Sequence, residues 1–340
     1  MKMTMNQTGF VLTAIAAVLL FPGLSQAQVS CTSGTAVTGD ATNTVSIAGG
    51  TNNPGISCVY TGIAGTVATQ AATSVSTTAG GTGINLTGGA VDAIRWNSTA
   101  GNITGGAQTG GPVIDAQAGG DVVITTAGVS VNASGGNDGI LARSTNGGDV
   151  SITATSVGFG NAAGSTAIEA ISNGGDITVT TTGGQVGTNM SSLVNATANH
   201  DGVVATTSGA GNIVLTLVNP SAGSGGSGFA ALGFGAGGAA VRATNDSGDV
   251  TINVRGEISG GTRFTANSAQ VAAGIVVDSG GDVVIDSQYL IMGAINAAGT
   301  RPAAITASGD TFSLTMTGNP NTSAADFGNY RAALGGFFTG

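Results

Sequence analysis

The chain is predicted to be all-β, a right-handed parallel β-helix, that is, a solenoid of about eight to ten irregular coils. Three observations predict it. A short strand of pattern Ile/Val-x-Ala recurs eight times along the 340 residues. Most copies are followed seven to nine residues later by a Gly-Asp or Gly-Asn turn that opens a second strand. Finally, 61 glycines and only 7% charged residues describe many short strands and tight turns rather than helices. A hydrophobic fraction of 41% and strict alternation argue against disorder.

The first strand of each unit is expected to point two residues inward: Ile94/Trp96, Ile114/Ala116, Ile140/Ala142, Ile168/Ala170, Val203/Ala205, Val241/Ala243, Ile275/Val277 and Ile305/Ala307. The turn residues are Asn102, Asp121, Asp149, Asp176, Asn212, Asp249, Asp282 and Asp310. After most of them comes a second inward pair, such as Val122/Ile124, Val150/Ile152 or Ile213/Leu215. Neighbouring strand residues face opposite sides, so each strand has one buried and one wet face. The last unit slips, with Phe312 and Leu314 one place late. Units start at intervals of 20, 26, 28, 35, 38, 34 and 30 residues. This is too irregular for a propeller and natural for a solenoid that accepts insertions.

Residues 1–27 read as an export leader: Lys2 is the positive end, Gly9 to Phe21 the apolar stretch, and Ser25-Gln26-Ala27 the cleavage site before Gln28. The apolar run is shorter than the ~20 residues that span a bilayer. The formal net charge is −9, and Lys2 is the sole lysine. So acidic a chain is a poor partner for nucleic acid or anionic lipid. The two cysteines, Cys31 and Cys58, are expected to form a disulfide in an exported protein and to pin a terminal segment. They lack the Cys-x-x-Cys spacing of a redox or metal site. No cofactor and no metal is expected.

The turn acids have a structural explanation. Glycine permits the left-handed backbone of a corner, and an Asp or Asn side chain accepts a hydrogen bond from a nearby N–H. Calcium would relieve stacked carboxylates, but calcium β-rolls need tandem Gly-Gly-x-Gly-x-Asp nonapeptides, which this chain lacks. Thr-x-Thr pairs (Thr153/Thr155, Thr178/Thr180, Thr315/Thr317) invite comparison with a flat ice-binding array. They do not recur on every coil, and threonine is favoured in half-exposed strands anyway. The single histidine, His200, sits beside Asp201; a Ser-His-Asp site would need a serine brought to it. Asp246-Ser247-Gly248 and Asp278-Ser279-Gly280 read as lead-ins to turns. The outward positions Arg95, Asp115, Leu141, Glu169, Val204, Arg242, Val276 and Thr306 form no row of one chemistry, so no catalytic residues are assigned. An acidic pair such as Asp278 and Asp286 leaves a carbohydrate-active β-helix enzyme, a polysaccharide lyase or hydrolase, as the alternative. Three or more carboxylates converging with an arginine would favour it. Binding, if it occurs, belongs on loops. The insertion at 218–239 carries Phe229, Leu232 and Phe234 on a Gly-rich arm, either an exposed contact patch or, the favoured reading, a cover for the strand edge.

The leader, the Cys-bearing Thr/Gly-rich start, and repeated Gly-Asp-Val-x-Ile with Gly-Ile-x-Ala strands together resemble the passenger domain of a type V autotransporter or a related haemagglutinin-like adhesin over residues 28 to 320. The resemblance implies export through the periplasm to the cell surface or beyond, and an adhesion, binding or structural role without catalysis. The partners it implies are a host or neighbouring-cell surface glycan or protein, or a second copy in self-association. It also implies an outer-membrane translocator in the full-length product. That translocator is a set of ~10-residue amphipathic strands that residues 319–340 are too few to form. The expected organisation is a leader (1–27), an N-terminal cap with first coils (28–90), β-helix repeats (91–318) and a C-terminal tail (319–340).

Overall fold

A computed structural model describes residues 28–32, 37–38, 44–47, 50–52, 55–61, 68–71, 75–77, 83–98, 101–105, 111–133, 138–158, 165–187, 200–219, 229–233, 238–260, 273–289, 291–293, 303–317 and 336–339. The leader and Phe234 lie outside them. The described chain is all-β and alternates between two long parallel sheets, an arrangement consistent with a β-solenoid.

The first sheet has 11 strands. Its order is β1 (Gln28–Thr32), β5 (Ile56–Thr61), β8 (Ile84–Gly88), β11 (Ile114–Ala118), β13 (Ile140–Ser144), β15 (Thr166–Ser172), β17 (Asp201–Thr207), β20 (Val241–Asn245), β23 (Ile275–Ser279), β26 (Ile305–Ser308) and β28 (Gly336–Thr339). The second runs β2 (Val37–Thr38), β3 (Thr44–Ile47), β6 (Ala68–Ala71), β9 (Ile94–Ser98), β12 (Val122–Ala133), β14 (Val150–Val157), β16 (Ile177–Thr181), β18 (Ile213–Val218), β21 (Val250–Arg255), β24 (Val283–Ser287) and β27 (Phe312–Met316). Among the described residues every strand pair is parallel except β1 with β5 and β2 with β3. The reversed strands close one end of both sheets. Cys31 and Cys58 face each other across the β1–β5 pair and are disulfide-bonded, so the terminal strand is tied to the first parallel one. Reversal and covalent closure both blunt an edge that would otherwise offer unpaired backbone groups.

The aliphatic positions stand in file. Ile140 pairs with Ile168 and Ile168 with Val203, while Ala142, Ala170 and Ala205 form the neighbouring file. In the second sheet Val122, Val150, Ile177, Ile213, Val250 and Val283 align. All of these are buried in one continuous core. An alanine file beside the aliphatic one in the first sheet, facing the large aliphatics of the second, keeps the core thin. Each buried Val, Leu or Ile contributes roughly 1.5–3 kcal/mol, and most of that depends on the coils above and below.

The first expected unit is corrected. Ile94 and Trp96 pair with Val122 and Ile124, so they belong to the second sheet. The true partners of Ile114 and Ala116 are Ile84 and Leu86. The 20-residue interval came from joining strands of different sheets, since both follow the same two-residue alternation. Asn102 likewise is no turn residue of this corner: it opens β10 (Asn102–Gly105) and pairs with Ser130.

Beyond the two expected strands, most coils carry a third. A row of pairings runs through β4 (Gly50–Asn52), β7 (Val75–Thr77), β10, the ends of β12 and β14, Val186, β19 (Phe229–Leu232), β22 (Glu257–Ser259) and β25 (Ile291–Met292). It buries Ile103, Val131, Val157, Val186, Ala231, Ile258 and Ile291. Phe229 and Leu232 therefore lie in a strand, not in a free loop, and Leu232 is 5% exposed within the core. Its burial corrects the contact-patch reading at this position, because the apolar side chain finds a neighbouring coil to pack on. Leu232→Ala is expected to cost about 2–5 kcal/mol, the usual loss for a core leucine, read as a shift in the denaturant midpoint. A surface loop residue would show almost none.

Candidate functional site

The Gly-Asp corners are built from three ladders. The outermost uses the Asx side chains: Asp121 Oδ1 accepts from the Asp149 N–H at 3.0 Å, Asp149 from Asp176 at 2.9 Å, and Asp176 from Asn212 at 2.7 Å. Asn212 then accepts from Asp249 at 3.0 Å, and Asp249 from Asp282 at 2.9 Å. Each side chain thus satisfies a backbone donor of the next coil, not one two residues on in its own turn. Asp310 leaves this ladder. Phe312 pairs with Val283, so the inserted Thr311 takes the Asx place and donates its hydroxyl to Asp282 Oδ1 at 2.7 Å.

Glycine's role at these corners also differs from expectation. A Cβ on Gly148 would fall on the backbone of Gly120, one on Gly175 on Gly148, and one on Gly211 on Gly175. Close stacking excludes a side chain there, while the left-handed φ belongs to the preceding Gly147 and Gly174. Inside the glycine file runs a third ladder that sequence reasoning missed. Ser172 donates to the Gly148 carbonyl at 2.9 Å, Thr207 to Gly175 at 3.1 Å, Asn245 to Gly211 at 2.7 Å and Ser279 to Gly248 at 2.8 Å. Its sequence signal, a Ser, Thr or Asn four residues after the first inward position, is blurred because three residue types serve one purpose. Gly175→Ala is expected to destabilise by roughly 1–3 kcal/mol, as overpacking does, whereas Asp176→Asn, keeping the acceptor, should leave the melting temperature nearly unchanged. Calorimetry of the two variants checks both.

A cluster of charged side chains that are not committed to corners lies on the outer side of the 11-stranded sheet. Asp115, Leu141, Glu169, Val204 and Arg242 occupy one outward file, and Arg143 lies two places along from Leu141. Asp138 and Asp201 sit at strand entries, where they accept the N–H groups of Thr166 and Ala239, each at 2.6 Å. Asp201 also pairs with Arg242 at 3.2 Å. The carboxyls of Asp115, Asp138 and Glu169 are all pushed above their ordinary range, chiefly by burial. For Glu169 the neighbouring charges of Asp138 and Asp115 add to this, and Arg143 opposes it in all three. No group of three potential ligands among the described residues is placed to hold a metal ion.

The structure brings Ser165 to His200, with the hydroxyl 2.7 Å from Nδ1. Both are buried, at 3% and 1% exposure, and burial lowers the His200 pKa against the opposing effects of Ser165 and Asp201. Asp201 directs its carboxylate to Ala239 and Arg242. A serine so enclosed has no approach for a substrate, and the pair ties one strand entry to the next. Asp278 and Asp286 stand on different sheets, the first accepting from the Ser308 hydroxyl at 2.6 Å, the second pairing with Arg255 at 2.8 Å. They form no acid pair.

Comparison with protein families, with curated proteins and with solved structures finds no match to this chain.

The raised carboxyls have a definite pH signature. Their folded pKa values lie above the unfolded references of 3.8 for Asp and 4.5 for Glu, so the native state retains protons that the unfolded chain has lost. Their contribution is most favourable at or below those values and declines as pH rises through the folded ones. His200 acts in the opposite sense: its folded pKa lies below 6.5, and stability falls as pH drops below that reference. Glu169→Gln is expected to stabilise the fold at pH 7 by a fraction of a kcal/mol after solvent screening, seen as a higher melting temperature, and to have no effect near pH 3. A lower melting temperature at pH 7 would contradict the assignment.

Proposed function

We propose that the chain is an exported, surface-exposed right-handed parallel β-helix, of the kind found in autotransporter passengers and haemagglutinin-like adhesins, acting as an adhesion, binding or structural module without catalysis. The observation that carries this reading is the continuous register of the aliphatic files from Ile114 to Ile305 in the first sheet and from Val122 to Val283 in the second. Such a column suits display, and the long insertions of the sequence at 183–201, 218–239 and 256–272 are the kind of segment that meets partners. The Cys31–Cys58 bond fits an oxidising destination. Corner acids engaged with backbone donors have a structural reason that needs no active site. Its partners are a surface glycan or protein on another cell, or self-association, and an outer-membrane translocator delivers it.

The test is made on cells. An antibody against the folded column should label intact producing cells, and deleting the coding region for residues 28–340 should reduce attachment to a glycan- or protein-coated surface. Absent surface labelling, or attachment unchanged by the deletion, would reject the reading.

A second reading rests on the gathering of Asp115, Asp138 and Glu169 around Arg143. Half-buried carboxyls with raised pKa values supply general acids, and an arginine orients an acidic sugar. A carbohydrate-active enzyme would release reducing ends from a polysaccharide and lose that activity in Glu169→Gln. No release from uronate-rich and neutral polymers alike would leave the non-catalytic reading.

A further inference from the structure

The outer side of the second sheet differs from that of the first. Strand register places Thr125, Thr153, Thr180 and Thr216 in one file on four consecutive coils, with Asn253 next in line. A second file two residues away runs from Val123 through Ser151, Thr178 and Val214 to Thr251. The Thr-x-Thr pairs in the sequence conceal this arrangement. Thr178/Thr180 spans the two files, whereas Thr153/Thr155 and Thr315/Thr317 straddle the Thr125–Thr216 file and the one beyond it. The face is assembled by register and not by motif.

We infer that this face is an ice-binding surface, whose ligand is the ordered lattice of water oxygens on a crystal of ice. Four observations support the assignment. The two files hold ten outward side chains over five coils without a charge, although Arg95 and Asp286 bound the patch at its ends. The hydroxyls of Thr125, Thr153, Thr180 and Thr216 are not engaged by other side chains among the described residues. All ten side chains are partly or fully exposed, not covered by another layer. Finally, the sheet fixes their spacing at about 4.8 Å between coils and about 6.7 Å between files, close to the two repeats of water oxygens on the prism faces of ice.

The physical reason for selecting ice over other occupants lies in this combination. A methyl and a hydroxyl on a β-branched stem have few rotamers, so the file from Thr125 to Thr216 presents nearly the same atoms on four consecutive coils, beside a second file of small, uncharged Val, Ser and Thr side chains. Water held between methyls and anchored by hydroxyls takes up the sheet's own periodicity, and a matching lattice joins it with little ordering cost. Charged side chains would impose hydration shells incompatible with that order. The charged outer face of the first sheet is thereby excluded. The inference goes beyond the adhesive reading and rests on the parallel register alone, not on surface display.

The purified full chain is tested for thermal hysteresis and for inhibition of ice recrystallisation, and fluorescently labelled protein is tested for uptake into a growing ice hemisphere. Activity in the parent, its loss in Thr153→Tyr/Thr180→Tyr, and its retention in Asn85→Tyr on the other sheet are the expected results. Melting temperatures establish that the variants fold, and Thr180→Lys replaces the double variant should that one be destabilised. An inactive parent overturns the inference, as does activity that survives the face substitutions. So does a parent that merely dimerises through this face, seen by light scattering, without shaping ice. None of these outcomes bears on the cell-attachment test above.

Discussion

Parallel strands stacked in register at one fixed spacing are the constraint on which the rest of the molecule depends. At every corner the chain must turn within the height of one coil, directly on top of the coil before it. At that separation no Cβ fits between Gly148 and Gly120, or between Gly175 and Gly148. Backbone groups exposed by the turn must also find partners, because burying them unpaired is costly. The inner ladder of Ser172, Thr207, Asn245 and Ser279 supplies donors to the carbonyls, and the outer ladder of Asp and Asn supplies acceptors to the N–H groups. Either Asp or Asn serves, since both present an oxygen at the same point. Thr311 shows the limit of tolerance: an extra residue shifts Asp310 away, and the Thr311 hydroxyl replaces a backbone N–H as the donor to Asp282.

The two outer faces follow different chemistry on the same scaffold. On the first sheet, charge is concentrated: Asp115, Asp138, Glu169, Asp201, Arg143 and Arg242 share one flank in a chain with few charges. Burial there works against the ionised forms of Asp115, Asp138 and Glu169, whereas Asp201 is paired with Arg242. The second sheet carries, between Arg95 and Asp286, an uncharged patch in which threonine recurs on four consecutive coils from Thr125 to Thr216. Neither face interferes with the core, because successive residues of a strand are independent in the direction they point.

The ends of the stack are also unlike. At one end reversed strands and the Cys31–Cys58 bond terminate the parallel order. At the other, β27 and β28 are still parallel to their neighbours, and Phe312 and Leu314 are only partly buried against the core. A coil with one neighbour loses about half the contacts that stabilise an interior coil, and at the reversed end the Cys31–Cys58 bond adds a covalent tie.

Much of this architecture was legible in the residues. Two-residue alternation and the Gly-Asp punctuation are local, so the inward pairs from Ile114 to Ala307 and the corner acids from Asp121 to Asp282 could be read directly, as could the cysteine pair. What could not be read was which strand lies on which. Ile94/Trp96 has the same local pattern as Ile84/Leu86, and only pairing assigns them to different sheets. The third row was hidden because its members, such as Val186 and Ile258, are single buried residues without a period. The gathering of Asp138 with Glu169, the approach of Ser165 to His200, and the file from Thr125 to Thr216 all join residues 25 to 40 apart through loops of unequal length. Alternation within a strand is set by covalent geometry and is therefore written in the sequence. Contact between coils depends on how much chain each loop takes up, and the folded stack alone decides it.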